Sequence, residues 1–250
     1  KKTTPKSLNI GIKHSTGKYI IRLDAHVEYS PGYINQCVES LENSTDDIAN
    51  IGGDIITKPG GDNIIAKSIS LVLSSRMGVG NSAFRVKKTL SPRFVETVPF
   101  GAFKREALEN VGLFNEEEPR NEDLELNRRL IKSGKKILHN PNINSTYFSR
   151  GDYKSFIKHQ FDNGWCVTKS FRGSESFHNI RHFIPLIFIL YLIFLLFLSF
   201  SPVSRNQSSI FFIFLTPILI YTSLIILITI YDVFKNFNLM YFMFIPITYI

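Results

Sequence analysis

An apolar strand ends in a polar cluster at the segment Ile20–His26, whose sequence is IIRLDAH. The run Tyr19–Leu23 is typical of a buried strand, and Ser30 would cap the helix that follows. A carboxylate at the end of such a strand lies at the C-terminal edge of the sheet, where open α/β folds bind ligands. Asp24 and His26 are two residues apart on an extended chain, so they point to the same side and can share one cation.

Strands and helices alternate along the first 150 residues. Further strands are predicted at Ile48–Ile56, Phe94–Phe103 and Ile137–His139. Helices are predicted over Tyr33–Leu41, Asp62–Arg76, Lys104–Val111 and Glu122–Ser133, whereas Lys1–Lys18 is polar and ends in a turn. This alternation predicts an α/β domain with a mainly parallel sheet.

The net charge of +8 could indicate a nucleic-acid partner. The lysines and arginines are scattered, however, and no arginine and aromatic platform accompanies them, so we expect no nucleic-acid binding. A P-loop nucleotidase is disfavoured because the sequence has no Gly-x-x-x-x-Gly-Lys-Ser/Thr stretch. Cys37 and Cys166 are far apart and have no metal-type spacing, which indicates reduced thiols in a cytosol-facing protein.

The last part of the chain is apolar. Residues 183–200 and 210–231 are each about as long as a bilayer core requires, and a third apolar run starts at about 240–250. Basic residues precede the first run at Lys169, Arg172 and Arg181, so the positive-inside rule places the preceding domain in the cytoplasm. The sequence therefore predicts a multi-pass protein of the cell membrane. The chain begins at Lys1 without a signal peptide and stops inside an apolar run, which indicates a fragment of a longer protein.

A third kind of segment, 151–182, joins the domain of residues 1–150 to the apolar region of residues 183–250. Within Tyr153–Trp165, aromatic and aliphatic residues recur at helical spacing among lysines. This pattern is typical of an amphipathic helix that lies in a membrane interface. The alternative is a surface helix packed on the core of its own domain.

Four stretches in order resemble a known family: Asn9, then GKYIIRLDAH at Gly17–His26, PFGAFKR at Pro99–Arg105 and NEDLE at Asn121–Glu125. Together they look like the inverting family 2 glycosyltransferases, whose fold is GT-A, a Rossmann-like α/β fold. The closest likeness is to the succinoglycan-biosynthesis type, in which Asp-Ala-His replaces the usual Asp-x-Asp. The match covers roughly Asn9 to Trp165, and the family's first strand would lie upstream of Lys1.

The resemblance implies a role for each matching residue. Asp24 and His26 would hold a divalent cation, Mn²⁺ or Mg²⁺, and with Asn9 the donor diphosphate. Asp123 would be the general base that deprotonates the acceptor hydroxyl, with Glu122 beside it. The remaining matches, Gly101, Ala102, Gln160 and Trp165, would line the sugar and acceptor pocket.

The spacing of Gln160 and Trp165 departs from the family pattern. Gln160 and Trp165 resemble the Gln-x-x-Arg-Trp signature of processive synthases, but the spacing is one residue longer and no arginine precedes the tryptophan. This departure argues against processivity.

The expected activity is transfer of a sugar from a nucleotide-diphosphate sugar, such as a UDP-sugar, to a lipid-linked saccharide in cell-surface or exopolysaccharide synthesis. A base on one side of the anomeric carbon and charge neutralisation on the other suit direct, inverting displacement. Two alternatives remain: a polyprenyl-phosphate glycosyltransferase, and a non-catalytic membrane subunit that binds nucleotide without turnover.

Overall fold

The computed structural model of the chain describes residues 3–80, 82, 84–86, 90–118, 120–170, 183–200 and 208–249. The chain divides into two compact units, Lys1–Cys166 and Val167–Ile250. The residues Lys169, Arg172 and Arg181, on which the predicted orientation rests, belong to the second unit or to segments outside the described residues.

The first unit contains a sheet of six described strands with helices around it. The strands are β1 (Tyr19–Ile21), β2 (Val27–Tyr29), β3 (Ile48–Lys58), β4 (Arg93–Val95), β5 (Ala102–Lys104) and β6 (Lys136–Phe148). The helices are α1 (Thr4–His14), α2 (Tyr33–Glu42), α3 (Ile64–Ser74), α4 (Arg76–Val79), α5 (Arg105–Val111), α6 (Glu122–Lys132) and α7 (Tyr153–Ser170), the last of which continues beyond the unit.

The sheet is mixed, which corrects the prediction of a mainly parallel sheet. Its strand order is β1-β5-β3-β6-β2, with β4 also paired to β6. Only the pair β3–β6 is parallel among the described strands, and the other four pairs are antiparallel. The antiparallel strands β2, β4 and β5 are three residues long and enter the sheet from turns and loops. β2 follows β1, and β5 follows β4, without the crossover helix that joins parallel strands.

The link between β1 and β2 positions the candidate site. These two strands are consecutive in the chain but stand at opposite ends of the strand order, with only the residues 22–26 between them. The link must therefore lie across one end of the sheet. The backbone N–H of Arg22 still donates to the carbonyl of Gly101 at 3.1 Å, which anchors the start of the link to the approach of β5.

Two elements differ from the prediction. The polar segment at the start forms helix α1, in which Pro5 occupies the first turn and Ile12 packs into the core. Strand β6 continues past Pro141 instead of ending at His139, and its pairing with β3 shifts register between Gly52 and Asp54. Proline cannot donate to a ladder, and such an irregularity is how a strand accommodates it.

Apolar side chains cover both faces of the sheet. On one face α5 and α6 pack through Leu108, Leu126 and Leu130, all fully buried. On the other face α2 packs through Tyr33, Cys37 and Leu41. Burial of each leucine side chain contributes roughly 1.5–3 kcal/mol, so these contacts fix the position of α6 against the sheet. The start of α6 carries the candidate base.

The second unit contains three described helices, α8 (Ile184–Phe200), α9 (Ser208–Asn236) and α10 (Tyr241–Tyr249). Within α9, the 25 residues Phe212–Asn236 are long and apolar enough to cross a membrane, whereas α8 is shorter. The described residues therefore contain one candidate membrane span. The prediction of several spans is not established by these helices.

Helix α7 has one apolar residue packed on its own domain and several exposed apolar residues. Phe156 is buried, as expected for a helix packed on its own domain. Ile157, Phe161 and Trp165 are 63%, 69% and 65% exposed, so a second apolar stripe faces outward. Lys154 and Lys158 lie on the same helix, so the interface prediction stays a prediction with a specific surface.

Candidate active site

Three carboxylates contact one arginine. The Nε and Nη2 atoms of Arg22 donate to the two oxygens of Asp24 at 2.8 and 3.1 Å. Its Nη1 atom donates to Glu122 at 2.8 Å and to Asp123 at 2.7 Å. Arg22 is only 8% exposed, so these interactions form away from bulk water and are strong. We refer to Asp24, Glu122 and Asp123 around Arg22 as the carboxylate cluster.

The cluster changes how its members ionise. Burial alone would lower the pKa of Arg22, but Asp123, Asp24 and Glu122 outweigh it and raise the pKa above its usual value. Burial raises the pKa of Asp123 from 3.8 to about 6, Arg22 opposes this shift, and the charges of Glu122 and Asp24 add to it. Three carboxylates share one guanidinium, so the acid with the raised pKa can take up a proton near neutral pH.

Asp123 faces a cavity of about 340 Å³ within the first unit. The start of α6 contributes four residues to its lining, the segment before β5 four more, and other loops and strands the rest. The lining residues are His26, Ile55, Phe84, Arg85, Thr97, Val98, Pro99, Phe100, Asn121, Glu122, Asp123, Leu124, Tyr147, Arg150 and His159. The Asp123 side chain is 26% exposed, so a bound molecule can reach it.

Two lining residues have unusual backbone angles. Phe100 and Asn121 have φ angles of 48° and 59°, in the left-handed region that non-glycine residues rarely adopt. Asn121 precedes α6 as its N-cap residue but makes no side-chain cap bond. The carbonyl of Phe100 accepts a hydrogen bond from Tyr33 at 3.0 Å, which holds this backbone in place. Strain of this kind often accompanies binding sites.

The segment Asp24–His26 is a turn and not an extended strand end. The backbone N–H of Val27 donates to the carbonyl of Asp24 at 3.2 Å and closes the turn. The strand ends at Ile21, two residues earlier than the predicted end at Leu23, and the side chain of Arg22 contacts the carboxylate cluster. Alternation along a strand therefore gives no reason for Asp24 and His26 to share one side.

The two predicted metal ligands occupy different surroundings. Both oxygens of Asp24 are bonded to Arg22, whereas the exposed His26 lines the cavity with its ring 6.1 Å from that of Tyr147. Within the described part of the chain, no group of three or more His, Cys, Asp or Glu side chains is arranged to hold a metal ion. Among these described residues, Asp24 and His26 are therefore not joined by a third such side chain that could complete a metal site.

Asn9 serves the packing of α1. Its amide donates to the carbonyl of Phe114 at 2.8 Å and to Glu116 at 3.1 Å, and its oxygen accepts from the N–H of Phe114 at 3.0 Å. The residue is buried and does not line the cavity. These bonds tie α1 to the loop before α6, so the geometry favours a structural role over contact with the donor.

Gly101 and Ala102 also lie behind the cavity, which is lined instead by Pro99 and Phe100. A Cβ atom on Gly101 would come within 2.4 Å of the Asn50 side-chain oxygen, so glycine is needed for packing against protein. Ala102 is fully buried in the sheet. Their predicted contact with a sugar is not supported by these positions.

The predicted pocket residues of α7 are exposed on that helix and lie outside the cavity lining. Gln160 and Trp165 are both exposed, whereas the neighbouring His159 reaches the cavity. Burial lowers the pKa of His159, and the charges of Arg150, Arg120 and Arg85 lower it further. No sequence motif marks His159 as a cavity residue.

The sequence reasoning also missed the arginines of the site. Arg22 stands inside the quoted strand but its partners are about a hundred residues away, so no local pattern reveals its role. Arg85 and Arg150 line the cavity from two separate segments. Their conjunction is visible only once the chain has folded.

Comparison with known proteins shows what part of this site is similar to. Residues 3–112 match the family described as Glycosyl transferase family 2. These residues include α1, the link that carries Arg22 and Asp24, and the segment before β5. Residues 3–112 are therefore similar to glycosyltransferase family 2 domains, the family that the sequence motifs resemble.

Two curated proteins are similar to the chain. A dolichyl N-acetyl-α-D-glucosaminyl phosphate 3-β-D-2,3-diacetamido-2,3-dideoxy-β-D-glucuronosyltransferase of Methanococcus voltae is 28% identical over 187 residues, which are 73% of this chain and 56% of that protein. The succinoglycan biosynthesis protein ExoA of Rhizobium meliloti is 26% identical over 169 residues, 67% of this chain and 49% of that protein. The chain thus spans about half the length of the curated relatives it matches.

A solved structure of GalNAc-T7 with UDP, GalNAc and Mn²⁺ is similar at a TM-score of 0.43 and 17% identity, over 71% of this chain and 39% of that one. A likeness of this strength does not establish a shared ligand or activity.

Proposed function

We propose that the chain is the catalytic part of an inverting, membrane-bound glycosyltransferase with a GT-A fold. It would transfer a sugar from a nucleotide-diphosphate sugar to a lipid-linked saccharide in the synthesis of cell-surface or extracellular polysaccharide. The observation that carries the proposal is the carboxylate cluster: Arg22 joins Asp24 to Asp123, and Asp123 lines the cavity. The family 2 match and the names of both curated relatives support it.

Asp123 would act as the general base. The acceptor hydroxyl attacks the anomeric carbon from the face opposite the diphosphate, and its proton passes to the Asp123 carboxylate. The new bond from carbon to the acceptor oxygen forms as the bond from carbon to the diphosphate oxygen breaks, so the configuration inverts. The pKa of about 6 suits this task, since the carboxylate is mostly ionised at neutral pH yet basic enough to take a proton.

Arg22 would set the charge state of this base. Its hydrogen bond to Asp123 stabilises the carboxylate, while the charges of Glu122 and Asp24 favour the protonated acid. The same guanidinium holds Asp24 on the link across the end of the sheet. One side chain thereby fixes the distance between the donor side and the base.

A divalent cation, Mn²⁺ or Mg²⁺, would bind with the donor. Carboxylate and imidazole are acceptable ligands for these ions, and Mg²⁺ commonly takes one or two protein carboxylates together with substrate phosphates. Asp24 and His26 would contribute to such a substrate-completed site only after Asp24 gave up part of its contact with Arg22. When bound, the cation would offset the negative charge on the leaving diphosphate.

Attachment to a membrane would bring the site to its lipid-linked acceptor. The apolar length of Phe212–Asn236 supports one span, and the apolar runs at 183–200 and 240–250 would add others. The exposed stripe of Ile157, Phe161 and Trp165 supports an interfacial position for α7. The catalytic domain would then face the cytoplasm.

The experiment that tests the function is a donor screen on the full-length membrane protein. Radiolabelled nucleotide sugars are offered with Mn²⁺ and a membrane lipid extract, and transfer to lipid-extractable product is counted. We expect one donor to give product that disappears in EDTA and in Asp24→Ala. Nucleotide binding without any turnover would contradict the proposal and favour a non-catalytic subunit.

His26 offers a sharper test within the same assay. If it is a ligand, His26→Asp should retain activity because it restores the commoner Asp-x-Asp pattern, and His26→Leu should not. Equal behaviour of the two variants would remove His26 from the proposed site.

A further inference from the structure

Two arginines face the same cavity as Asp123 from the sides formed by other segments. Arg85 lies on the loop between α4 and β4, and Arg150 follows β6. The Arg85 guanidinium is 5.3 Å from the ring centre of Tyr147, also a lining residue, and Nη1 donates to the Thr57 hydroxyl at 3.4 Å. These contacts orient the group without neutralising it. We refer to Arg85 and Arg150 as the arginine pair.

Within the described part of the chain, no acidic side chain matches the positive charges of the pair. Among the described residues, neither Arg85 nor Arg150 forms an ion pair with an acidic side chain, whereas the neighbouring Arg120 contacts Asp162 at 3.3 Å. Burial lowers the pKa of Arg85, which reflects the cost of keeping a cation there. A half-buried cation without a counterion is unfavourable, and an anionic ligand would offset that cost.

The geometry selects the kind of anion. A guanidinium presents a planar fork of donors that matches the oxygens of a phosphate, and two arginines around one cavity suit a doubly charged group. Both substrates of the proposed reaction carry phosphate: the nucleotide sugar has a diphosphate with two negative charges, and a lipid-linked acceptor has a phosphate ester with at least one.

We propose that Arg85 and Arg150 form a phosphate-binding subsite of the cavity that Asp123 also lines. This inference rests on the proposed function and names the substrate group that the cavity recognises. The bound phosphate is either the diphosphate of the donor or the phosphate of the lipid-linked acceptor. In both cases the subsite holds the substrate at its phosphate while Asp123 faces its reacting hydroxyl or sugar.

The test measures binding by the full chain in detergent, so it does not depend on turnover. UDP represents the donor and polyprenyl phosphate the acceptor, with uridine and polyprenol as phosphate-free controls. The variants are Arg85→Gln, Arg150→Gln and the double variant. Arg76→Gln is the matched control, because Arg76 is exposed and does not line the cavity.

We expect the double variant to raise the dissociation constant of UDP or of polyprenyl phosphate about 10- to 100-fold, as loss of charge-assisted hydrogen bonds does. Uridine, polyprenol and Arg76→Gln should show no change. The probe that responds identifies the source of the phosphate. Binding of both phosphate probes within twofold of the wild type would overturn the inference. Should Arg85→Gln not fold, the exposed Arg150→Gln alone decides, with an expected loss of at least about tenfold.

The two proposals fail in different ways. If the wild-type protein transfers no sugar but the arginine variants lose phosphate binding, the result supports the phosphate subsite and contradicts the enzymatic role. If the wild-type protein transfers sugar normally and phosphate binding is unchanged in the variants, the result supports the enzymatic role and contradicts the subsite.

Discussion

Glu122 and Asp123 of the carboxylate cluster line the same cavity as the arginine pair, but the arginines of the two groups differ in their partners. In the cluster a single arginine contacts three acids, so acidic side chains of the protein neutralise its charge. In the arginine pair the described residues supply no acidic partner, so the charge is available to a ligand. An arginine at a site can thus be part of the scaffold or part of the recognition surface, and its partners decide which.

The largest effect is expected when the scaffold arginine is removed. Arg22→Met leaves three acids around a buried position without a cation, and loss of one partner of a buried pair typically costs about 3–5 kcal/mol. We expect transfer to be abolished and the melting temperature to fall sharply, as followed by thermal unfolding in detergent.

The exposed Arg76 provides the control for this loss. Arg76→Met should leave the melting temperature nearly unchanged, since surface substitutions usually have small effects. If Arg22→Met unfolded at the same temperature as Arg76→Met, Arg22 would not hold the cluster together.

The next effect concerns pH. Asp123 must be ionised to accept a proton, and its pKa is about 6, so kcat should fall roughly tenfold per pH unit below that value. Glu122→Gln removes a charge that raises the pKa of Asp123, and the acid limb of the profile should therefore move to lower pH. A profile whose limb stays in place in Glu122→Gln would contradict this coupling.

The same pKa has a consequence for stability. Folding raises the pKa of Asp123 above 3.8, so the folded chain binds this proton more tightly than the unfolded chain does. The contribution favours folding below about pH 4 and is lost as pH rises through about 6.

How much of this could be foreseen depends on sequence distance. The strand before Asp24 and the helix after Asn121 follow from local patterns, and both acids of the predicted mechanism were found there. Arg22 was passed over because its acceptors on α6 are about a hundred residues away. The cavity could not be predicted from the sequence either, because its two arginines come from loops that carry no motif.

Local patterns misled in identifiable ways as well. Pro141 suggested a strand end, but a register shift against β3 lets β6 continue to Phe148. The small residues Gly101 and Ala102 indicated a close approach correctly. The group close to Gly101 is the Asn50 side chain, and Ala102 is buried in the sheet, so their contact with a sugar stays a prediction that these positions do not support.

The smallest effect comes from this glycine, which lies directly behind the cluster because its carbonyl accepts the N–H of Arg22. Gly101→Ala would place a Cβ atom 2.4 Å from Asn50, and overpacking of this kind costs typically about 1–3 kcal/mol. We expect a lower melting temperature with the donor KM little changed. Gly11→Ala in helix α1 is the control. Its new Cβ atom has open space around it, so the free energy of unfolding should rise by roughly 0.4–1 kcal/mol. A raised KM at normal stability in Gly101→Ala would restore the sugar-pocket role.

The central claim is that Asp123 is the base, and steady-state kinetics of Asp123→Asn with direct measurement of donor binding test it most directly. Asparagine keeps the size and the position at the start of α6 but cannot accept the proton. We predict a fall in kcat of about 10²- to 10⁴-fold, with donor affinity within a few-fold of the wild type. The exposed Glu117→Gln should transfer normally. Near-normal kcat in Asp123→Asn, or a large loss of donor affinity at unchanged kcat, would contradict the account.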